Sequence, residues 1–186
     1  MNQAAHPWAE CVDSPWDLRK AVRRRLRENP DAIKIWATGG GIWRWETAMD
    51  QHYTMEEVQA VVDECNMRRI PVWSHCSGSA YNSAKAGVHL IIHGQSLDDE
   101  TLDIMAEKKI AFCPTIHFMP AWFDTFPPKY DPKLHDKYPG DTVKEKELNR
   151  IYDNLRKANA KGILLTIGSD SFNSQMTPYG ETTVGE

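Results

Sequence analysis

Apolar residues nowhere run for the ~20 consecutive positions a membrane span needs. The opening "MNQAAHPWAE" has neither the basic start nor the apolar stretch of an export signal. These absences give no support to membrane or secretory readings and lead to the expectation of a cytoplasmic protein. The four cysteines, Cys11, Cys65, Cys76 and Cys113, form no C-x-x-C pair. Buried, reduced thiols are therefore expected, and neither a cysteine zinc site nor a disulfide framework is. Positive charge is not in excess: 22 basic residues face 26 acidic ones, for a formal net charge of −4. Nucleic acid is accordingly not the expected partner. The local basic run "RKAVRRRLR" (19–27) reads as the solvated face of a helix whose apolar side is Ala21, Val22 and Leu26. Gly39-Gly40-Gly41 is followed by no Lys-Ser/Thr and opens no helix, so it reads as a turn and not as a phosphate loop. Ser74 and Ser77 flank His75 without forming a nucleophile elbow.

What is present is a chain of 186 residues, 41 % of them hydrophobic, enough for a single domain (1–186) with a real core. Helical and extended patterns alternate along it. Ser14-Pro15 starts a helix that runs to about Glu28. "TMEE" (54–57) is a capping box, and the helix it opens carries Val58, Val61, Val62 and Cys65 on one side. Further helices are expected over 79–87, 98–109 and 141–162. Between them lie five apolar strands, at 32–38, 70–75, 88–94, 110–115 and 163–170. Strands alternating with helices predict an α/β fold with a parallel sheet, either doubly wound or part of a barrel. The Pro- and aromatic-rich stretch 116–141 is longer than an ordinary connection and reads as an active-site cover or a satellite core.

Polar residues gather at the strand ends. Lys34 interrupts the first strand, His75 ends the second, His93 the third, Pro114-Thr115 the fourth and Asp170 the fifth. In parallel α/β folds catalytic and ligand-binding groups collect at that edge. Each residue alone has a structural reading: a hydrogen-bonded histidine, an Asx-turn aspartate, a snorkelling lysine. Together they suit a metal, since imidazole nitrogen and carboxylate oxygen are zinc donors. Lys34 is the odd member, because a lysine among buried strand residues must pair, shift its pKa or reach solvent.

The segments "IKIWATGG", "VWSHCSG", "GVHLIIHG", "AFCPT" and "ILLTIGSDS" together resemble the second half of the amidohydrolase superfamily, in the branch with imidazolonepropionase-like and Xaa-Pro dipeptidase-like enzymes. The resemblance implies a (β/α)8 TIM-type barrel represented by about strands four to eight. It implies that Lys34 becomes an N-carboxylysine bridging two divalent metals, expected to be zinc. His75 and His93 would then bind one metal, and Asp170 the other. Asp170 would also serve as general base on a metal-bound hydroxide. Carbamylation needs a neutral amine, which desolvation favours. The implied reaction is hydrolysis of an amide or peptide C–N bond in a small molecule such as a dipeptide or an N-acyl amino acid. His117, Tyr81 and Tyr179 are candidate substrate contacts.

The family's strand-one His-x-His pair is missing, and nothing resembles strands one to three. A whole barrel takes ~250 residues, so the chain reads as a piece truncated at both ends. An open half-barrel leaves strand edges and an apolar inner face uncovered. A homo-oligomer, or association with a missing N-terminal segment, is therefore expected. The alternative reading is a non-catalytic fragment, a binding or assembly piece without the strand-one ligands.

Overall fold

The computed structural model of the chain describes residues 9–40, 46–125 and 141–171. Tyr179 and most of the 116–141 stretch lie outside the described residues.

Helix α1 (Pro15–Leu26) begins where Ser14 caps the backbone N–H of Asp17 with a proline in the first turn. β1 (Ile33–Trp36) follows, then α2 (Met55–Asn66), opened by the expected capping box between Thr54 and Glu57. Then come β2 (Val72–Cys76), α3 (Tyr81–Ala86), β3 (Leu90–His93), α4 (Asp99–Lys108) and β4 (Ala111–Cys113). α5 (Phe118–Thr125) and α6 (Val143–Ala160) complete the order. The beginning of the 116–141 stretch is thus a helix, with Phe118, Met119 and Phe123 packed on Ile151 of α6 as a second small core.

The four strands pair in parallel in sequence order, β1-β2-β3-β4. The helices follow in the same order outside them: α1 packs on α2, α2 on α3, α3 on α4 and α4 on α6. A doubly wound sheet reverses its strand order at a switch point. No such reversal occurs among the described residues, and the arrangement is an arc of the kind found in a (β/α)8 barrel.

Register sorts the side chains into faces. Ile35, Ser74, Ile91 and Phe112 lie side by side across the sheet and are all buried, forming the row that meets the helices. The neighbouring rows point to the inner face. One is Lys34, Trp73, Leu90 and Ala111; the next is Trp36, His75, Ile92 and Cys113.

Three expectations need correction. The fifth strand (163–170) reduces to a single parallel bridge between Phe112 and Leu165, fixed by Phe112 N–H to Leu164 O (2.9 Å) and Thr166 N–H to Phe112 O (2.8 Å). Beyond it Gly168 passes close to Cys113, where an added Cβ would lie 2.5 Å from Sγ, and Asp170 leaves the extended region at φ +49°, so the run is not an extended strand to its expected end. Lys34 is exposed, because no described element covers its row of the inner face; this agrees with the snorkelling reading and removes the burial that the carbamylation reading drew on. Finally, Cys11 is exposed while the other three thiols are buried as expected.

Candidate metal-binding site

Left-handed backbone marks the two ends of the sheet. Asn29, Arg69 and Lys109 have positive φ just beyond helices, the usual way a helix is stopped. His93, Thr115 and Asp170 have φ of +73°, +48° and +49° at the other edge, where strands end. The strain of such non-glycine residues falls where the sequence places its candidate ligands.

At His93 the strain has a geometric result. Gly94 N–H bonds Ile92 O at 3.1 Å across it, a γ-turn of the rare positive-φ form. Simple alternation after Ile92 would put His93 on the helix face, level with its register partner Cys76. Instead its ring lies edge-on against His75 of the inner row, with centroids 4.5 Å apart at 69°. On its other side His75 meets the Trp36 ring, also at 4.5 Å.

Donor and acceptor accounting fixes how each ring is used. Thr115 gives its hydroxyl hydrogen to Pro114 O (2.7 Å), so toward His93 Nδ1 (2.7 Å) its oxygen accepts. His93 therefore carries its hydrogen on Nδ1 and keeps a lone pair on Nε2. His75 Nε2 lies 3.4 Å from the Gly39 carbonyl and 3.2 Å from Ser77 Oγ. A carbonyl only accepts, so Nε2 carries the hydrogen and Nδ1 holds the lone pair. Each ring thus has one nitrogen anchored in the protein and, among the described residues, one open. Metal-binding histidines use the same division.

Both rings stay neutral at ordinary pH. Burial, then the closeness of His93, beside which a second positive ring would be repelled, and then the Lys34 charge hold His75 well below the usual histidine value. His93 falls to about 3, through burial and then Lys34. Burial raises Asp170 above the usual carboxylate range, with Lys34 opposing. The Lys34 charge thus bears on each of the three other residues expected to ligate metal.

Among the described residues, no group of three or more His, Cys, Asp or Glu side chains is arranged to hold a metal ion. His75 and His93 form a pair, short of the three protein ligands usual at a catalytic zinc. Tyr81 is the half-buried first residue of α3, and His117 is exposed two residues after Thr115. Sequence reasoning left Thr115 and Ser77 without a role and did not give Trp36 one. The i, i+2 relation of Trp36 to Lys34 was the available signal for the tryptophan, since it puts both on one strand face.

No family model matches the chain. An ochratoxinase from Aspergillus niger is 30 % identical over 121 residues, which is 62 % of this chain and 25 % of that protein. Among solved structures, a Xaa-Pro dipeptidase with methionine bound in its active site matches with a TM-score of 0.67 and 30 % identity. That match covers 86 % of this chain and 39 % of the dipeptidase. A putative prolidase from Bifidobacterium longum matches with a TM-score of 0.64 and 25 % identity, over 88 % of this chain and 40 % of the other. The A. niger ochratoxinase structure matches with a TM-score of 0.69 at 22 % identity, over 86 % of this chain and 35 % of that one, a likeness of fold. The chain spans a quarter of the length of the curated relative it matches, and well under half of each solved one. In sequence the chain is similar to part of an ochratoxinase and of a Xaa-Pro dipeptidase, and in fold it is similar to part of these hydrolases and of an amidohydrolase.

Proposed function

We propose that this chain contributes the rim of a metal-dependent hydrolase that cleaves amide or peptide C–N bonds in small substrates such as dipeptides or N-acyl amino acids. The observation that carries the reading is the His75–His93 pair: two neutral rings 4.5 Å apart, each anchored through one nitrogen and open at the other. The names of the relatives, a dipeptidase, a prolidase and an ochratoxinase, support amide bonds as the target.

The donor set fits a divalent ion of the zinc kind. His75 Nδ1 and His93 Nε2 would hold it, joined by Lys34 as N-carboxylysine, and the Asp170 carboxylate would hold a second ion. Bound there, the metal supplies Lewis acidity toward water and the scissile carbonyl. The chain's own groups do the rest. Asp170, its carboxyl raised by burial, takes a proton from the attacking water and gives it to the leaving amine nitrogen. Trp36 and Ile92 flank the rings on the inner face and limit water there. His117, Tyr81 and Tyr179 are the proposed substrate contacts. A second copy of the chain is the proposed protein partner, supported by the exposed inner-face side chains Trp73 (40 %) and Leu164 (68 %).

The test is bound metal per chain by elemental analysis after purification with zinc and bicarbonate, followed by a screen of dipeptides and N-acyl amino acids. Zinc that is retained by the native chain and falls in Lys34→Ala and His93→Ala supports the reading. Asp170→Asn then abolishes hydrolysis with the fold intact. Absence of retained zinc refutes the metal site and favours the non-catalytic alternative.

A further inference from the structure

Behind His75, on the side away from its open nitrogen, one peptide unit stands between the ring and a buried carboxylate. The Gly39 carbonyl faces His75 Nε2 at 3.4 Å. The Gly40 N–H at the other end of the same trans peptide donates to Glu46 Oε1 at 2.7 Å. The second oxygen of Glu46 lies 3.4 Å from His52 Nε2, and the Glu46 and His52 side chains are only 8 % and 7 % exposed. A carboxylate that accepts an amide hydrogen draws the peptide dipole toward itself. This makes the carbonyl at the far end a stronger acceptor, in the manner of any polarised hydrogen-bond chain. The stronger that carbonyl, the more firmly it keeps the hydrogen of His75 on Nε2.

We propose that Glu46 is a positioning residue for His75, acting through the Gly39–Gly40 peptide to keep the imidazole in the form with hydrogen on Nε2 and a lone pair on Nδ1. The use of that lone pair for a metal rests on the function proposed above; the choice of tautomer does not.

The loop is built to deliver Glu46 to this place. Residues 46–52 return antiparallel along 37–40 through the Thr38–Gln51 bridge, Gly39 N–H to Asp50 O (2.8 Å) and His52 N–H to Ala37 O (2.9 Å). Asp50 ties the corner by accepting from the Thr47 backbone N–H (2.7 Å) and hydroxyl (3.0 Å). Gly39 is required for the approach, since a Cβ there would lie 2.0 Å from Thr47 O and 2.9 Å from Glu46 Cγ. His52 secures the carboxylate from its far side. Ser77, the other neighbour of Nε2, cannot choose the tautomer, because a hydroxyl donates as readily as it accepts. A carbonyl can choose, and Glu46 strengthens this one.

The test is nitrogen NMR of the histidine rings in metal-free protein, which distinguishes the two tautomers, together with competition measurements of zinc affinity. Native His75 is expected as the Nε2–H form. Glu46→Ala is expected to mix the two forms and to weaken zinc binding by roughly 10- to 100-fold, the range for lost outer partners of a ligating histidine. Glu46→Gln keeps an oxygen for Gly40 N–H and should fall between, while Ser77→Ala should leave the tautomer unchanged. A native His75 in the Nδ1–H form overturns the proposal without any variant. So does Glu46→Ala with an unaltered tautomer. If Glu46→Ala does not fold, the native protein and Glu46→Gln decide. A tautomer that depends on Glu46 in a protein that binds no zinc supports the role of Glu46 and refutes the metal site. Zinc binding with a tautomer indifferent to Glu46 does the reverse.

Discussion

His93 is held in a backbone conformation that costs about 1–3 kcal/mol for a non-glycine residue, and Thr115, its hydrogen-bond partner, is held in another. The cost is tolerated because the turned ring meets His75 and finds an acceptor. Thr115→Val keeps the shape and removes that acceptor, so His93 Nδ1–H is left buried and unpaired. A loss of stability of about 1–3 kcal/mol follows, with zinc affinity falling roughly 10- to 100-fold. Urea titration and metal competition measure the two, and unchanged zinc affinity would remove Thr115 from the site. Acid should act through the same ring. His93 has a folded pKa of about 3 against an ordinary 6.5, so the unfolded chain binds the proton first. Its contribution is intact above 6.5 and is lost as pH falls from 6.5 toward 3, at up to about 1.4 kcal/mol per unit. Asp170 has the opposite sign: its raised pKa makes ionisation above the usual carboxylate range work against folding. Carboxylates paired with arginine also weaken in acid, so the informative quantity is the difference between native protein and His93→Asn in metal-free urea titrations from pH 7 to 4. Asparagine tolerates positive φ, and its pH slope should be shallower. Equal slopes would mean that His93 is not buried neutral. These residues were legible in the sequence as a set, because each ends a run of apolar residues. Their partners were not, since a hydroxyl or a glycine carbonyl acquires meaning only when two strand ends meet.

Elements with their own local signals were the most legible. Thr54 caps its helix through the expected box with Glu57, and the structure adds the same box between Thr142 and Glu145. The apolar run at 163–167 carried the same kind of signal and yet forms one bridge, because pairing depends on partners far away in the chain. The exposure of Lys34 was one of the alternatives the sequence left open, since burial of an inner-face residue depends on what stands opposite. The basic run of α1 is more than a solvated face. Arg19 binds Asp63 (3.0 Å) and Glu64 (3.1 Å), and Arg23 grips Glu64 through two nitrogens, each at 2.7 Å. The Glu64 side chain is 3 % exposed and that of Arg23 60 %, an asymmetry that decides the energetics. Arg23, then Arg19, hold the Glu64 carboxyl below its ordinary value against the cost of burial. Removing the acid by Glu64→Gln frees arginines that water can solvate, for about 1–2 kcal/mol. Removing both cations by Arg19→Ala with Arg23→Ala leaves a largely covered carboxylate without its partners, which should cost more. Denaturant midpoints at neutral pH should rank the variants in that order, and native midpoints in both would show that α1 and α2 are held by apolar contact alone.

At the scale of the whole molecule, the two faces of the sheet differ sharply. The helix face is closed by the row Ile35, Ser74, Ile91 and Phe112, whereas the inner face leaves Trp73 40 % and Leu164 68 % exposed. Among the described residues β1 is an edge strand, and a cavity of about 720 Å³ runs along it, lined by Ile33, Ile35 and Trp36 together with Leu18 and Val22 of α1. An unpaired edge beside an uncovered apolar face favours association through that side. A two-fold contact would set the same patch against itself, edge to edge and Trp73 near its counterpart. The protein is therefore expected to sediment as a dimer or larger species whose weight depends on concentration. Trp73→Ser with Leu164→Ser should shift it toward monomer while the far-ultraviolet helix signal stays, because neither side chain belongs to the buried core. Changes in exposed residues of this kind ordinarily move stability by less than about 0.5 kcal/mol, so a large effect on association would separate the surface role from a folding role. A native chain that sediments as a monomer at all concentrations would sink the second-copy partner.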